Sequence, residues 1–478
     1  MAAPLDPAAG AAATPEAIPE TERALKRRVF SLAAPIVGEN VFELSLDLVN
    51  TGLVSALGAA AIAGVGASTQ VMFILLSALG ALAIGTSVLV AQAIGAGDPQ
   101  RASRLARQSL LWSVAFSVPV AVGGFAFARS IIGLFGLAPD VAAVSTSYLK
   151  IAMATVVVLT LLTIGGGVLR GAGNSRTPMR ATLVANVLNV VLAGALIYGW
   201  FGLPHLGVVG AAWATCAARS VALVLVLRAL WRGHAGVSLA TRTGWRPDLT
   251  IARRLLSLGL PTAAEQLVIS TGWFVFTVLI ARLGTDPLAA QRVAMSVLSL
   301  CFLPGWGLGM ATTVLVGQSV GARRVDIGRR VVRITSRWAV LWMSAAGVLV
   351  FAFAVPLMQV FSNSPDVVHT GAAALRVMVF TQPFWGMAMT CSGALRGMSD
   401  TRTPLVVEAI GNWTAIGLVW FMLHSFPITL ALAWGAYVLM GPCIGGSLWY
   451  AMRRRARRVQ SGEVRIPLPE PQSAMLPA

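Results

Sequence analysis

Four polar side chains interrupt the apolar stretch from Pro35 to Gly58: Glu39, Glu43, Asp47 and Asn50. On a helix with about 100° and about 1.5 Å per residue, they fall within an arc of about 80° and extend over roughly 16 Å. A carboxylate at the centre of a bilayer costs about 2.5–3.5 kcal/mol, so three on one spanning helix need water, a cation or protons. The pattern predicts a polar face lining a cavity. The alternative is a helix on the membrane surface, but such helices carry Lys and Arg on the polar face.

The composition indicates an integral membrane protein. Of the 478 residues, 56% are hydrophobic and only 11% are charged, whereas soluble proteins contain about 25% charged residues. The mean hydropathy is +0.77. Apolar stretches of about 20 residues, the length that spans a bilayer, recur almost to the C-terminus. No segment long enough to form a soluble domain remains between them.

The net charge of +18 is explained by membrane topology rather than by a nucleic-acid partner. Most Lys and Arg lie in alternate connections and near the two termini. The opposite connections contain only Arg129, Arg282 and Arg292. Because positively charged connections stay on the cytoplasmic side, both termini are predicted to be cytoplasmic, with the protein surrounded by the lipid of the plasma (inner) membrane.

The apolar segments predict an all-α integral membrane protein with twelve transmembrane helices in two pseudo-symmetric six-helix bundles. The expected N-lobe covers 23–231, a cytoplasmic linker 232–250, and the C-lobe 251–458. Residues 1–22 and 459–478 are predicted to be disordered tails. The helices are expected at about 31–57, 66–94, 106–128, 141–168, 178–199, 208–231, 252–281, 288–320, 331–354, 367–395, 404–424 and 428–452.

The second half of the chain repeats the first at a constant shift of 226 residues. Pro35 falls on Pro261 (35 + 226 = 261), and LRGAGNSRTP at 169–178 falls on LRGMSDTRTP at 395–404. Six helices per half make the two repeats parallel, related by an axis along the membrane normal.

These repeated motifs, with VAQAIGAGD and VLVGQSVGA after helices two and eight and with Asn186 and Asn189 in helix five, resemble the multidrug and toxic compound extrusion (MATE) family of cation-coupled exporters. The resemblance covers nearly the whole chain. It implies a V-shaped pair of six-helix bundles around a central cavity. That cavity would open alternately to the cytosol and the outside while substrate is exchanged for protons or sodium.

Three acids that the resemblance leads us to expect are replaced. In many members an Asp opens the pair before the turn of helix one, where this chain has Asn50 and Thr51. Archaeal-type members carry an Asp four residues after an Asn of helix five, but after Asn189 that position is Ala193. The drug-exporting bacterial branch has an Asp in helix ten where this chain has Trp385.

Other ionisable residues could therefore carry the coupling. Glu39 and Glu265 each stand four residues after the repeated proline, and Lys150 and Arg376 are repeat mates (150 + 226 = 376). Counted at about 1.5 Å per residue from the helix ends, all four lie near the middle of the membrane. We therefore predict the ion pairs Glu39–Lys150 and Glu265–Arg376.

If both pairs form, Asp47 and Glu43 are left to bind and release a proton. Burial disfavours an ionised carboxylate and a nearby cation favours it, so an acid in a half-dry cavity can titrate near neutrality. The alternative is that Asp47 is a structural acid bonded to Asn50 or Asn189. The expected ion-coupling set is Asp47, Glu43, Glu39, Asn50, Asn189 and Glu265.

Aromatic and polar residues of the second half could line the substrate path. Trp273 is the repeat mate of Asp47 (47 + 226 = 273), and Phe276, Gln382 and Trp385 are expected near it. Aromatic faces attract organic cations by about 0.5–2 kcal/mol. The alternative is that these side chains pack against other helices or face lipid.

The sequence as a whole predicts a secondary active exporter of small amphipathic or cationic compounds, driven by protons rather than sodium and acting as a monomer. A lipid-linked sugar flippase is the alternative, and unpaired Lys150 and Arg376 would favour it. A membrane-embedded enzyme is the least supported possibility, because no nucleophile, metal-binding set or acid pair stands near a membrane face. The four His and four Cys are dispersed, so neither a catalytic residue, a metal nor a cofactor is expected.

Overall fold

Helices make up nearly all of the structure, a computed structural model that describes residues 21–199, 202, 204–233, 236–241 and 244–464. These residues contain no β-strand. Most of both tails predicted to be disordered, 1–20 and 465–478, lies outside them. The helices are α1 (Glu22–Ser55), α2 (Ala59–Gly95), α3 (Pro99–Ala126), α4 (Ala128–Gly133), α5 (Pro139–Ala154), α6 (Val156–Gly171), α7 (Arg176–Tyr198), α8 (Val208–Trp231), α9 (Leu249–Ala281), α10 (Thr285–Gly321), α11 (Val325–Ala352), α12 (Ala354–Gln359), α13 (Pro365–Met378), α14 (Gln382–Gly397), α15 (Arg402–Ser425) and α16 (Leu430–Gln460).

Ten helices of the described chain are long and apolar enough to cross a membrane, and eleven spans result if α5 and α6, bent by 51°, count as one. The predicted tenth helix is divided in a similar way, because a 3₁₀ turn at Val379–Thr381 separates α13 from α14. Thr155 and Thr381 stand at the two breaks and are repeat mates (155 + 226 = 381). Each hydroxyl donates to a carbonyl of the preceding turn, of Ile151 and Met378 respectively. The prediction of an all-α membrane protein is confirmed.

Several helices are longer than predicted because they continue into their basic flanks. α1 begins at Glu22 rather than near residue 31, and α16 ends at Gln460 rather than near residue 452. Lys and Arg are good helix formers, so the helix does not need to stop where the apolar residues stop. At the end of α16, Arg457 and Arg458 also complement the negative end of the helix dipole.

The two halves share unusual backbone positions. Gly58 and Gly284, which begin the turns into α2 and α10, have φ of 99° and 117°. At the end of α2, Gly97 has a φ of 74°, and its repeat mate Arg323 (97 + 226 = 323) keeps a φ of 57° although it is not glycine. A left-handed conformation costs a residue with a side chain about 1–2 kcal/mol. The repeat is therefore preserved in the backbone even where the residue type has changed.

The chain divides into two compact units. Among the described residues, one contains Gly38–Ser257 and the other contains residues 21–37 together with 258–464. Within the second unit, the first part of α1 packs on α10, where Val37 and Ala33 lie against Gly307.

In each unit, glycines let one helix of an equivalent pair lie close against the other. In the first, α6 lies on α2: a Cβ added to Gly167 would be 2.7 Å from the carbonyl oxygen of Ala83. In the second, α14 lies on α10: a Cβ added to Gly397 would be 2.7 Å from the carbonyl oxygen of Thr313. Small residues such as these at a helix–helix interface let membrane helices approach closely. They also fix the position of the arginine in each repeated LRG motif.

In the first unit, the connection before α9 is held against α3. The buried Gln108 side chain donates to the carbonyl oxygens of Gly244 (2.8 Å) and Arg246 (2.6 Å) and accepts from the backbone N–H of Asp248 (3.0 Å). Arg104 donates to the Asp248 carboxylate at 2.8 Å. A single polar side chain thus satisfies three backbone groups of the connection.

Asp248 also begins α9. Its carboxylate accepts the backbone N–H groups of Thr250 (2.9 Å) and Ile251 (3.4 Å). Burial raises the pKa of the Asp248 carboxyl, but these N–H groups and the Arg104 guanidinium lower it more, so the pKa lies below its ordinary value. The carboxylate therefore stays ionised, and caps the helix, at neutral pH.

Candidate functional site

The predicted polar face of α1 is present in the first unit. The helix runs unbroken past Pro35, so Glu39, Glu43, Asp47 and Asn50 keep the predicted spacing. Glu39 is mostly buried and Asn50 is half-buried, whereas Glu43 and Asp47 are exposed. This difference in exposure divides the four residues into a packed part and an accessible part.

Glu39 is held by an arginine of the first LRG motif. The Nη1 atom of Arg170 donates to both carboxylate oxygens of Glu39, at 3.0 Å and 3.1 Å. The Thr182 hydroxyl of α7 lies 3.5 Å from one of them. Only 14% of the Glu39 side chain and 11% of the Arg170 side chain are exposed. Glu39 is therefore neutralised within the packed part of the unit.

The second unit contains the equivalent ion pair. Arg396 of α14, the repeat mate of Arg170 (170 + 226 = 396), donates to the carboxylate of Glu265 on α9. The Glu265 side chain is 2% exposed and that of Arg396 is 16% exposed. The repeat therefore contains the complete acid–base pair in both units.

The predicted pairing of Glu39 with Lys150 and of Glu265 with Arg376 is wrong. The Lys150 ammonium lies over the ring of Phe125 at 5.7 Å, and the Arg376 guanidinium lies over Phe351 at 6.0 Å. The prediction matched depth along the membrane normal but left the direction around each helix undetermined. Lys150 and Arg376 lie on the exposed faces of α5 and α13.

Glu43 and Asp47 have neither a side-chain hydrogen bond nor an ion pair with any residue that the structure describes. Arg219 of α8 acts electrostatically on both carboxylates, and Arg170, which pairs with Glu39, also acts on Glu43. Tyr148 of α5 is close enough to interact with Arg219 and Asp47. Arg219 was not among the predicted site residues. Its only signal in the sequence is that it stands inside an apolar helix, where a charge needs a partner.

The predicted asparagines have different surroundings. Asn189 is buried and donates to the Thr215 hydroxyl at 2.9 Å, while its Oδ1 atom has no partner among the described residues. Asn186 donates to the backbone carbonyl of Phe42 at 2.6 Å, which joins α7 to α1. Asp47 bonds neither Asn50 nor Asn189 within the described chain. The geometry thus offers no structural bond for the Asp47 carboxylate.

The predicted aromatic residues of the second unit form one cluster. Trp273 lies 6.0 Å from Phe276 and 6.3 Å from Trp385, measured between ring centroids. It also stacks on Tyr437, at 5.5 Å and an interplanar angle of 2°. Trp434 packs against Phe276 at 5.0 Å. Trp434 and Tyr437, both on α16, were missed because nothing in the sequence places that helix beside α9.

Exposure separates the members of this aromatic cluster. Phe276 is completely buried, so it packs and presents no surface to a ligand. Trp273 and Trp385 are half-buried and retain open ring surface. Gln382 is also completely buried, and neither of its amide atoms has a partner among the described residues.

The structure contains ionisable side chains inside long apolar helices, and it contains them in two repeated units. These features are typical of membrane transporters. Among the described residues, no group of three His, Cys, Asp or Glu could hold a metal ion.

Comparisons identify the family. The model of the MatE family matches residues 35–194 and 261–421. The probable multidrug resistance protein NorM of Thermotoga maritima is 30% identical over 88% of this chain and 89% of its own length. The protein of the same name from Bradyrhizobium diazoefficiens is 28% identical over 90% of this chain and 93% of its own length. The chain belongs to the MATE family, as its motifs predicted, and it is a transporter rather than an enzyme.

Solved structures have the same fold. A multidrug resistance MATE family transporter in an outward-facing conformation has a TM-score of 0.85 at 22% identity, over 93% of this chain and 100% of its own. A MOP superfamily transporter from Pyrococcus furiosus also has a TM-score of 0.85, at 23% identity and the same coverage. At these identities the likeness establishes the fold alone.

Proposed function

We propose that the protein is a secondary active exporter of small amphipathic or cationic compounds, driven by a proton gradient through alternating access. The observation that carries the proposal is the division of the α1 acids. Glu39 is neutralised by Arg170, whereas the exposed Glu43 and Asp47 have no bonded partner among the described residues. The two accessible acids are the groups that can exchange a proton.

The charges around α1 support one exchangeable proton. Glu39 and Arg170 cancel, and Arg219 compensates only one of Glu43 and Asp47. With all groups ionised, the cluster carries one uncompensated negative charge. Because an unpaired carboxylate inside a membrane costs about 2.5–3.5 kcal/mol, a proton or an organic cation that removes this charge is stabilised. Competition between the two is the physical basis of exchange.

We propose protons rather than sodium as the coupling ion. Hard cations such as Ca²⁺ and Mg²⁺ are held by six or more oxygen ligands, and sodium has the same preference for oxygen. Around Glu43 and Asp47 the described chain supplies carboxylates beside an arginine, and a guanidinium repels a metal cation. A proton needs only one oxygen.

The aromatic residues suit a cationic substrate. Trp273 and Trp385 present partly open rings, and an aromatic face attracts an organic cation by about 0.5–2 kcal/mol. The names of the NorM relatives, which describe multidrug resistance, agree with such a substrate. Phe276 supports Trp273 from behind. Gln382, with its unpaired amide, remains a proposed substrate residue only if a rearrangement opens its surroundings.

The flippase alternative has less support. Lys150 and Arg376 have no acidic partner among the described residues, which this alternative requires, but both lie on exposed faces of α5 and α13, over Phe125 and Phe351. The accessible groups on the polar face of α1, Glu43 and Asp47, are acids and repel an anion. We further propose that both termini lie in the cytoplasm, because the basic connections would then all lie inside. We also propose that the protein acts as a monomer in the plasma membrane.

The test is transport by the purified protein in lipid vesicles. A pH gradient and a sodium gradient are imposed separately, and uptake of the fluorescent cation ethidium is followed. We expect the pH gradient alone to drive uptake, and Asp47→Asn to abolish it. Asp140→Asn, which changes an exposed acid at the start of α5, is the matched control and should transport normally. Uptake driven by sodium, or unchanged in Asp47→Asn, would contradict the proposal.

A further inference from the structure

Arginine is concentrated in the last two turns of α16. Residues 453–460 contain five arginines and no acidic residue. The last helix of the first half, α8, has Arg228 in its last turn and is followed directly by Arg232. Both helices are predicted to end on the same side of the membrane, so topology requires no more arginine on α16 than on α8. The excess on α16 indicates a further partner.

Ion pairs within the protein use two of the five arginines. Arg455 lies 3.9 Å from the carboxylate of Asp400, and Arg458 lies 3.6 Å from that of Glu463. The other three are exposed and have no acidic partner among the described residues: Arg453, Arg454 and Arg457. The end of the helix dipole supplies only about half a negative charge. Most of the positive charge of these three side chains is therefore uncompensated.

Two aromatic residues place these arginines at the level of the lipid headgroups. Trp449 and Tyr450 are 40% and 64% exposed, and exposed Trp and Tyr of membrane helices concentrate at the membrane–water interface. Arg453 and Arg454 each follow one of them by four residues, or about 6 Å along the helix. The polar region of each leaflet is about 5–8 Å thick. Both guanidinium groups therefore lie where phosphates lie.

The exposed face of α16 continues from these arginines into the apolar part of the helix. At about 100° per residue, Leu439, Tyr450 and Arg457 point within about 20° of one direction, and all three are exposed. Along the helix this face is first apolar, then aromatic and then cationic. Acyl chain, ester region and phosphate follow one another in the same order in a phospholipid.

Arg453 is already held in position for an anion. Its guanidinium lies over the ring of Trp449, 4.0 Å from the ring centroid. This contact uses the flat face of the guanidinium and leaves the N–H groups at its edge free. A guanidinium edge matches two oxygens of a phosphate, to which it donates two parallel hydrogen bonds.

We propose that this end of α16 binds the phosphate of an anionic phospholipid, with Arg453, Arg454 and Arg457 as the donors. The site does not depend on the proposed function, because none of its residues belongs to the groups proposed to bind the proton or the exported compound. A basic residue beside an anionic membrane surface contributes about 5-fold to the affinity.

The experiment is native mass spectrometry of the purified full-length protein in detergent. The protein is titrated with equal amounts of phosphatidylglycerol and phosphatidylcholine that carry the same acyl chains. We expect the wild type to retain phosphatidylglycerol preferentially. Arg453→Gln/Arg454→Gln/Arg457→Gln should retain at least one molecule of it fewer. Trp449→Leu should weaken the binding by about 2- to 5-fold, because the guanidinium loses its aromatic support.

The matched control removes the same charge from exposed arginines of the opposite connections. Arg129→Gln/Arg282→Gln/Arg292→Gln should retain as much phosphatidylglycerol as the wild type, and circular dichroism should verify that every variant remains helical. A wild type without the preference, or an α16 triple variant that binds as the wild type does, would overturn the proposal. An equal loss in the control would do the same, because net charge would then decide. So would displacement of the lipid by an equal concentration of glycerol 3-phosphate, since the arginines would then bind a soluble phosphate.

Discussion

Replacing Arg170 with methionine removes the guanidinium that holds Glu39 while keeping a side chain of similar length. In the structure, one nitrogen of Arg170 bonds both carboxylate oxygens, and both side chains are more than four-fifths buried, with 11% and 14% exposed. The glycines of α6 that place Arg170 against α2 are unchanged. The variant therefore tests the ion pair and not the helix packing.

The size of the effect is limited by protonation. Breaking a buried ion pair by removing one partner costs about 3–5 kcal/mol. However, the orphaned Glu39 can take a proton. A glutamate with an ordinary pKa of about 4.3 needs about 3.7 kcal/mol for this at pH 7, at 1.36 kcal/mol per unit. We expect Arg170→Met to lose about 3–4 kcal/mol at pH 7 and about 1.4 kcal/mol less for each unit of acidification.

The assay is unfolding of the purified protein in detergent at about pH 7.5 and about pH 5. The double variant Glu39→Gln/Arg170→Met is the control, because it leaves no acid to titrate at this position and should show much less pH dependence. Equal destabilisation of Arg170→Met at the two pH values would refute the reasoning. So would a single variant as stable as the wild type at the higher pH.

Three further predictions concern other parts of the molecule. Arg323→Gly should stabilise the protein by about 1 kcal/mol, because glycine tolerates the left-handed backbone, and Gly97→Ala should destabilise it by a similar amount. Thermal unfolding measures both, and opposite signs would contradict the account. Asp248→Ala, which removes the oxygen that accepts the N–H groups of Thr250 and Ile251, should accelerate amide hydrogen exchange at the start of α9. In the wild type the protection is present above the ordinary carboxyl pKa and should be lost as the pH falls through the lowered pKa of Asp248, so pH-independent exchange protection, after correction for the intrinsic rate, would exclude this cap. Trp273→Ala should weaken binding of tetraphenylphosphonium by about 2- to 30-fold, the equivalent of about 0.5–2 kcal/mol. Trp420→Ala, outside the aromatic cluster, is the calorimetric control, and equal loss in both would refute the assignment.

The 226-residue repeat made most of the fold predictable. It located the helices of the second half from those of the first, and the equivalent turns at Gly58 and Gly284 agree with it. The breaks at Thr155 and Thr381 were not predicted. Pro383, in the first turn of α14, is a sequence signal for the second break, whereas a hydroxyl bonded to the preceding turn, as at Thr155, has no distinctive pattern. The helices continue into basic residues, whose low hydropathy placed them outside the predicted membrane spans.

The candidate site was predicted less completely. The four acids and amides of α1 were found by periodicity, and Trp273 by its repeat relation to Asp47. The true partners of Glu39 and Glu265 stand in the LRG motifs, but Arg170 and Arg396 lie just beyond the predicted helix ends at about 168 and 395. A search for pairs of opposite charge that repeat together would have included them. It could not have ranked them above Lys150 and Arg376 without helix orientations.

The most direct test of the central claim is whether binding of a cation displaces a proton from α1. Tetraphenylphosphonium is added to the purified protein in weakly buffered solution, and a pH indicator records the protons released. We expect the wild type and Asp140→Asn to release protons equally, and Glu43→Gln/Asp47→Asn to bind the cation with fewer protons released. Equal release by the double variant and the wild type would contradict the claim.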